Sequence, residues 1–304
     1  MSTIRAHKPS LAREIWKNRH LYLLMAPFLL VFTVFIIIPI IVSVVLSLTD
    51  FNMLQSPSFV GLDNYIRMFL DDDVFIVAVR NTLIFAVLTG PVSYLLCFFL
   101  AWMINDLPPK FRWVLTLLFY APALASNIFY IWTYIFSGDM YGLVNSTLIQ
   151  LGIVMEPIQW LTDSTYVMFV IILVQLWMSL GTGFLAFIAG LQSVDTALFE
   201  AGAIDGIRNR WQQLWYITIP VMKPMLMFGA VMSITGAFGV CDVTMTLCGY
   251  PSTDYAARTI VTHLFDYGFS RFEMGYASAI ATLLFLVMIL CNKAIQSMLR
   301  RVGT

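Results

Sequence analysis

The sequence predicts an all-α membrane protein with about six transmembrane helices. Of its 304 residues, 60% are hydrophobic and 11% are charged, whereas soluble domains carry roughly a quarter charged residues. Apolar runs long enough to cross a bilayer recur along the chain, and Lys and Arg concentrate between alternate runs. The net charge is zero, so the composition gives no indication of a nucleic-acid partner.

Six segments have the length that a lipid bilayer requires. A spanning helix needs ~20 mostly apolar residues, because it must cross ~30 Å with its backbone polar groups bonded internally. The predicted spans are 21–48, 81–104, 114–136, 166–192, 225–248 and 275–295. The first apolar run exceeds the ~7 to 15 residues of a secretory signal. We therefore expect residues 1–20 to form a cytoplasmic tail and 21–304 a transmembrane domain, with its core at 75–298.

The positive charges predict the orientation, because cytoplasmic loops carry the excess of Lys and Arg. With the N-terminus inside, only four of the 17 Lys and Arg residues fall outside, namely Arg67, Arg80, Arg258 and Arg271. Both termini are therefore expected in the cytoplasm.

Two connecting loops are long enough to indicate a function. The external loop 137–165 contains several Gly residues and no Lys or Arg. It could cap the outer mouth of a pathway or simply connect two helices, and both interpretations stay open. The cytoplasmic loop 193–224 carries the most informative pattern in the chain.

This cytoplasmic loop predicts a helix-turn-helix. Capping residues from Ser193 precede a short helix whose residues Ala197, Ala201 and Ile204 share one face. Gly206 permits a sharp turn, and 208–216 can form a second helix before Pro220 and Pro224. Small residues at 201–203 would let a partner approach the backbone closely, while Glu200 and Asp205 offer charges to a basic partner.

The residues Glu200-Ala201-Gly202, then Gly206, then Ile217-Thr218-Ile219-Pro220 resemble the EAA loop of binding-protein-dependent ABC importer permeases. Three departures from the family pattern are evident. Gly202 replaces the second Ala, Ile219 replaces Leu, and ten residues rather than nine separate Gly206 from Ile217. We expect the extra residue to lengthen the turn after Gly206.

The resemblance is closest to the maltose-type subgroup of these permeases. The stretches 246–251, 258–260 and 272–278 are also similar to that subgroup. The resemblance implies a type I ABC importer permease fold in a bacterial inner membrane. It also implies import of a sugar or oligosaccharide, with glycerol phosphate compounds or another small solute as the alternative.

The chain lacks the G-x-x-x-x-G-K-[ST] loop that cradles ATP phosphates. By resemblance, a dimer of a separate cytoplasmic ATPase uses ATP and Mg, and this chain is a transport subunit that binds no cofactor of its own. Other implied partners are a second homologous permease, with a heterodimer favoured over a homodimer, and an extracytoplasmic solute-binding protein. The residues implied in ATPase coupling are Glu200, Ala201, Gly202, Asp205, Gly206, Ile217 and Pro220.

Candidates for the substrate pathway are polar and aromatic residues at membrane depth. Asp242 ranks first, because an ionisable residue there is costly and usually faces a cavity, a partner or a pathway; it could equally be interfacial. The other candidates are Gln175, Trp177, Asn127, Tyr130 and Tyr276, although Trp and Tyr also populate membrane interfaces.

Two rival classes of protein find little support. A transporter driven by an ion gradient would show repeat symmetry and ionisable residues at the midplane, for which only Asp242 is available. A membrane enzyme would need paired carboxylates, an activated nucleophile or metal ligands. The four cysteines form no CxxC pair and are interpreted as small buried hydrophobes.

Overall fold

The computed structural model describes residues 16–125 and 128–300. Five helical stretches are long and apolar enough to cross a membrane, and a bent pair of helices would make a sixth. The prediction of an all-α membrane protein with about six spans is therefore confirmed.

The elements are numbered here in chain order. The helices are α1 Arg19–Leu46, α2 Asp63–Leu70, α3 Asp73–Asn105, α4 Pro109–Leu124, α5 Phe129–Ile135, α6 Leu143–Gln150, α7 Val167–Met178, α8 Thr182–Gln192, α9 Thr196–Ile204, α10 Arg210–Gln213, α11 Lys223–Phe238, α12 Asp242–Cys248, α13 Ile260–Phe265 and α14 Met274–Leu299. Two short strands, β1 Thr49–Asp50 and β2 Ser58–Phe59, pair antiparallel after α1.

Helix α3 is the central element of the bundle. It runs for 33 residues and packs mainly against α8 and α11. Its first turn is capped by Asp72, whose side chain accepts a hydrogen bond from the Phe75 amide. The helix therefore begins at Asp73 rather than at residue 81, where the prediction began the span. The predicted start was late because 73–80 mixes buried Phe75 and Ala78 with charged residues.

Three of the predicted spans are interrupted. The segment 114–136 corresponds to α4 and α5, which are bent by 89° relative to each other. The segment 166–192 breaks between α7 and α8, and the segment 225–248 breaks between α11 and α12. Non-helical backbone at membrane depth is tolerated only where it is buried in protein or lines a cavity. Each break is therefore expected either to be buried in protein or to line a cavity.

The loop 137–165 is held together by bonds from one side chain to backbone groups. In the loop 137–165, the Asn145 side chain is fully buried, donates to the carbonyls of Ser137 and Ile158, and accepts from Trp160 Nε1. The loop is therefore an ordered unit around α6. Whether it caps a pathway stays a prediction.

The start of α14 packs closely on β1. A Cβ added at Gly275 would lie 2.1 Å from the Thr49 carbonyl oxygen. We expect Gly275→Ala to destabilise the protein by about 2 kcal/mol, because backbone atoms cannot move aside as a flexible side chain can. The measurement is the thermal melting temperature of the chain in detergent.

Gly236→Ala is the matched control for this substitution. Gly236 also lies in a helix, and an added Cβ there would meet nothing within 4 Å. This variant should melt at the wild-type temperature or slightly above it, since Ala favours helix by roughly 0.5 to 1 kcal/mol. Equal melting temperatures for the two variants would contradict the close approach of α14 to β1.

Candidate functional site

The loop 193–224 forms the predicted helix-turn-helix. Asp195 caps α9 by accepting a hydrogen bond from the Ala197 amide at 2.9 Å. Asn209 caps α10, and Gln212 completes a capping box. The second helix continues beyond α10 through a π turn at Leu214–Thr218 to Val221. It thus includes Pro220, which the prediction placed beyond the helix, because the wider turn leaves room before the proline ring.

Gly206 ends α9 in a Schellman motif. Its φ of +94° lies in the region that favours glycine. The Gly206 amide donates to the Ala203 carbonyl at 3.3 Å, and the Ile207 amide donates to the Gly202 carbonyl at 2.9 Å. These two bonds satisfy carbonyls that the end of a helix leaves free. The sharp turn predicted at this glycine is therefore present and has a defined geometry.

The two faces of α9 have different surroundings. Gly202 is buried, and an added Cβ would lie 2.7 Å from Ile217 Cδ1. An alanine at this position would require the Ile217 side chain to shift, so glycine fits the packing as it stands. On the other side, Glu200 and Ala201 are exposed and Ile204 is 88% exposed. The described part of the chain thus leaves an acidic and apolar helix face open to a partner.

A cavity of about 470 Å³ lies between α3, the break that separates α7 from α8, and the second half of α11. Its lining is rich in hydroxyl groups and glycines and contains no charged side chain. The lining residues are Thr89, Ser93, Cys97, Gln175, Met178, Ser179, Gly181, Thr182, Gly183, Phe187, Met232, Ser233, Thr235, Gly236, Ala237 and Gly239. The helix break therefore contributes directly to a cavity at membrane depth whose lining combines hydroxyl groups with apolar side chains, a setting in which non-helical backbone is tolerated.

The pathway candidates do not all meet at this cavity. Gln175 lines it. Trp177 instead packs edge-on against Trp132 with ring centroids 5.3 Å apart, and Tyr130 is 66% exposed on α5. Asp242 is exposed and forms the first residue of α12, directly after the break that follows α11. A carboxylate in the first turn of a helix is favoured by the helix dipole.

Two further candidates lie elsewhere. Asn127 lies outside the described residues. Tyr276 is only 2% exposed, and its hydroxyl donates to Asp72 Oδ2 at 2.8 Å. Tyr276 therefore belongs to a network at the end of the bundle where α3 begins, rather than to the cavity lining.

This network buries a histidine whose tautomer is fixed by its neighbours. Arg258 Nε can only donate, so its 3.1 Å contact makes His263 Nδ1 the acceptor. His263 Nε2 then donates to Asp72 Oδ2 at 3.0 Å. Arg258 also donates to Asp266 Oδ2 at 2.5 Å, and Arg271 pairs with the same oxygen. The imidazole is neutral in this arrangement, and the network ties α13 to the starts of α3 and α14.

The pKa values in the network follow from burial and from these bonds. Burial lowers the pKa of His263 to about 4, with the nearby Asp72 opposing that effect and Arg258 adding to it. Burial raises the pKa of Asp72, but hydrogen bonds from the Phe75 amide and the Tyr276 hydroxyl outweigh burial and hold it below its ordinary value. The network therefore favours a neutral His263 beside a charged Asp72.

We expect the stability of the protein to fall as the pH is lowered from 7 to 4. The pKa of His263 is about 4 when folded and 6.5 when unfolded. The unfolded state thus binds more protons in this window, and the loss should reach about 3 kcal/mol at pH 4. The measurement is thermal unfolding in detergent across this range. His263→Gln should reduce the slope, whereas His20→Gln, on an exposed residue, should keep it; equal slopes would refute the assignment.

Several cavity residues were not among the sequence candidates. Thr89, Ser93 and Cys97 recur every four residues on one face of α3, a spacing visible in the sequence. Thr182 stands between two glycines inside a largely apolar span. Neutral hydroxyls also bond between packed helices, so they indicate a pathway less specifically than charged or aromatic residues do.

Comparison with known proteins defines the class of this membrane protein. The fold is similar to that of a chain in the bacterial alginate ABC transporter, crystallised in complex with an alginate pentasaccharide-bound periplasmic protein. The TM-score is 0.76, the sequence identity is 23%, and the match covers 97% of this chain and 98% of that chain. No protein-family model matches the sequence.

Two curated relatives are closer in sequence. The arabinooligosaccharides transport system permease protein AraP of Bacillus subtilis (strain 168) is 34% identical over 277 residues, covering 89% of this chain and 85% of the relative. The lactose transport system permease protein LacF of Rhizobium radiobacter is 34% identical over 224 residues, covering 73% of each chain. The chain therefore belongs to the ABC transporter permease family. It is a membrane-embedded transport subunit rather than an enzyme.

Proposed function

We propose that this chain and a second, homologous permease form the pathway by which an ABC importer takes up a sugar or oligosaccharide. The observation that carries the proposal is the open face of α9. Burial of Gly202 against Ile217 fixes the helix, while Glu200 projects outward. A separate cytoplasmic ATPase dimer, which uses ATP and Mg, would grip this face. The loop end of the bundle would then be cytoplasmic, in agreement with the distribution of Lys and Arg.

The chemistry of the cavity supports a neutral, hydroxyl-rich solute. Ser, Thr and Gln side chains can both donate and accept hydrogen bonds, which suits sugar hydroxyls. A phosphate compound would need a cation to offset its charge in a site away from water, and the lining residues include none. A sugar is therefore favoured over a glycerol phosphate compound. The names of two relatives, for arabinooligosaccharides and lactose, agree with this class.

The mechanism requires two states of the permease pair. ATP-bound ATPase must bind one state more tightly than the other, since a partner with equal affinity for both shifts nothing. A second permease would close the open side of the cavity, as a heterodimer rather than a homodimer, and an extracytoplasmic binding protein would deliver the solute. Gln175 would contact the solute; roles for Asp242, Trp177, Asn127, Tyr130 and Tyr276 remain predictions.

Glu200→Lys tests the coupling role of the loop. In a complex purified with the ATPase and the second permease, we expect ATP hydrolysis stimulated by the solute-loaded binding protein to fall at least about fivefold, the lower range of coupling between sites. The charge reversal should leave the permease folded, because Glu200 is exposed, and co-purification of the ATPase checks that the complex still assembles.

Glu156→Lys is the control, since Glu156 is an exposed glutamate in the loop 137–165. It should keep wild-type stimulation. Stimulated hydrolysis at the wild-type rate in the Glu200→Lys complex would remove Glu200 from the mechanism. Failure of any ATPase to associate with the unaltered permease pair would reject the importer proposal itself.

Gln175→Ala tests the cavity as part of the pathway. Loss of one hydrogen bond to the solute costs about 1 kcal/mol, so the solute concentration for half-maximal transport in proteoliposomes should rise roughly fivefold. Gln150→Ala, on an exposed residue at the end of α6, should leave transport unchanged. Equal transport curves for the two variants would place the solute elsewhere.

A further inference from the structure

The end of α3 nearest the loop carries an acidic residue in an unfavourable place. Asp106 is the C-cap of α3, where the helix dipole is negative and repels a carboxylate. Arg210, the first residue of α10, pairs with Asp106. Arg112 also reaches this end, and its Nη1 donates to the Asn105 carbonyl at 3.2 Å. Two guanidinium groups thus offset the negative end of α3, and one of them comes from the loop.

Aromatic contacts fix the same junction. The Arg210 guanidinium lies 4.7 Å from the centre of the Trp102 ring, close enough for a cation–π interaction. The neighbouring Trp211 ring lies 5.1 Å from Trp102 and 6.4 Å from Phe99. Consecutive residues of α10 therefore contact the last two turns of α3, and we name Arg210, Asp106, Trp102 and Trp211 the α10–α3 clamp.

The clamp joins the two parts of the candidate site. Asn209 and Gln212 form the capping box of α10, so the helix that carries Arg210 is well defined. The other end of the connection, α3, is one uninterrupted helix, and Thr89, Ser93 and Cys97 on it line the cavity. This continuity would allow a displacement of α10 to reach the cavity wall through α3.

The ion pair itself contributes little to stability. The Arg210 and Asp106 side chains are 53% and 45% exposed, and exposed pairs contribute at most about 1 kcal/mol. Its geometry is specific, however, because a planar guanidinium can pair with a carboxylate while stacking on an indole ring. This combination fits a residue that fixes the position of α10 against α3 rather than one that stabilises the fold.

We infer that Arg210 is a positioning residue that couples movement of the EAA-type loop to α3 through Asp106 and Trp102. The inference rests on the proposed function and goes beyond it. It assigns the transmission of movement from the loop to α3 to a contact outside the EAA-type pattern. Glu200 would receive the movement from the ATPase, and Arg210 would pass it to the helix that lines the cavity.

The test uses the assembled complex with its ATPase, second permease and binding protein. Arg210→Glu should lower the solute transported per ATP hydrolysed at least about fivefold, with the complex intact. Arg208→Glu is the matched control, since it makes the same charge change on an exposed residue two positions earlier in the loop; it should transport as wild type. Arg210→Glu combined with Asp106→Arg should recover part of the loss, because it restores the ion pair but not the contact of the residue-210 side chain with Trp102.

A second readout needs no solute. Ser93→Cys, with the four native cysteines replaced by Ala because Cys97 lines the same cavity, places a single thiol in the cavity wall, and ATP should change its rate of labelling in the complex. Arg210→Glu should remove this response and Arg208→Glu should keep it. A retained response and normal transport in Arg210→Glu would overturn the clamp alone, as would failure of the charge swap to rescue. No response to ATP in the otherwise unaltered complex would overturn the proposed function and the clamp with it.

Discussion

A charged group inside a bilayer needs a partner, and the organisation of this chain follows from that constraint. Between Arg80 and Asp106 the sequence of α3 contains no charged residue. The charges stand at its two ends, and each end is tied to another element. Asp72 bonds to His263 and Tyr276, while Asp106 pairs with Arg210. Helix α3 thus has an uncharged middle and a polar contact with another element at each end, and the remaining spans pack around it.

The same constraint explains the kind of polarity found at membrane depth. Neutral hydroxyl groups can bond to the helix itself when nothing else is near. Thr89 Oγ1 donates to the Phe85 carbonyl at 2.7 Å, and Ser179 Oγ donates to the Leu176 carbonyl at 2.6 Å. A cavity lined in this way can exchange internal bonds for bonds to a solute at low cost, whereas a charged lining would have to be neutralised whenever the cavity empties.

Much of the fold could be predicted because bilayer length and apolar composition are strong constraints. The helical spans and the helix-turn-helix of the loop follow from local sequence alone. The breaks at Ser179–Gly181 and Gly239–Cys241 could not be located in the same way, since an apolar window averages over them. Tyr276 was grouped with the pathway from its type and depth. Its true partner, Asp72, is distant in sequence, and only the tertiary structure brings the two together.

The glycine at 202, one departure of the loop from the family pattern, fits the packing between the two helices of the loop. Ile207 follows Gly206, donates its amide to Gly202, and places its Cδ1 3.1 Å from where a Cβ of residue 202 would be. Ile217 reaches the same spot from the second helix. Two isoleucine side chains thus fill the space that an alanine methyl would need, so glycine at 202 lets both helices of the loop pack as one body. A loop that moves as one body can carry a force from Glu200 on its outer face to Arg210 at its junction with α3. If the loop instead bent at Gly206, movement of α9 would be absorbed by the turn and would not reach α10.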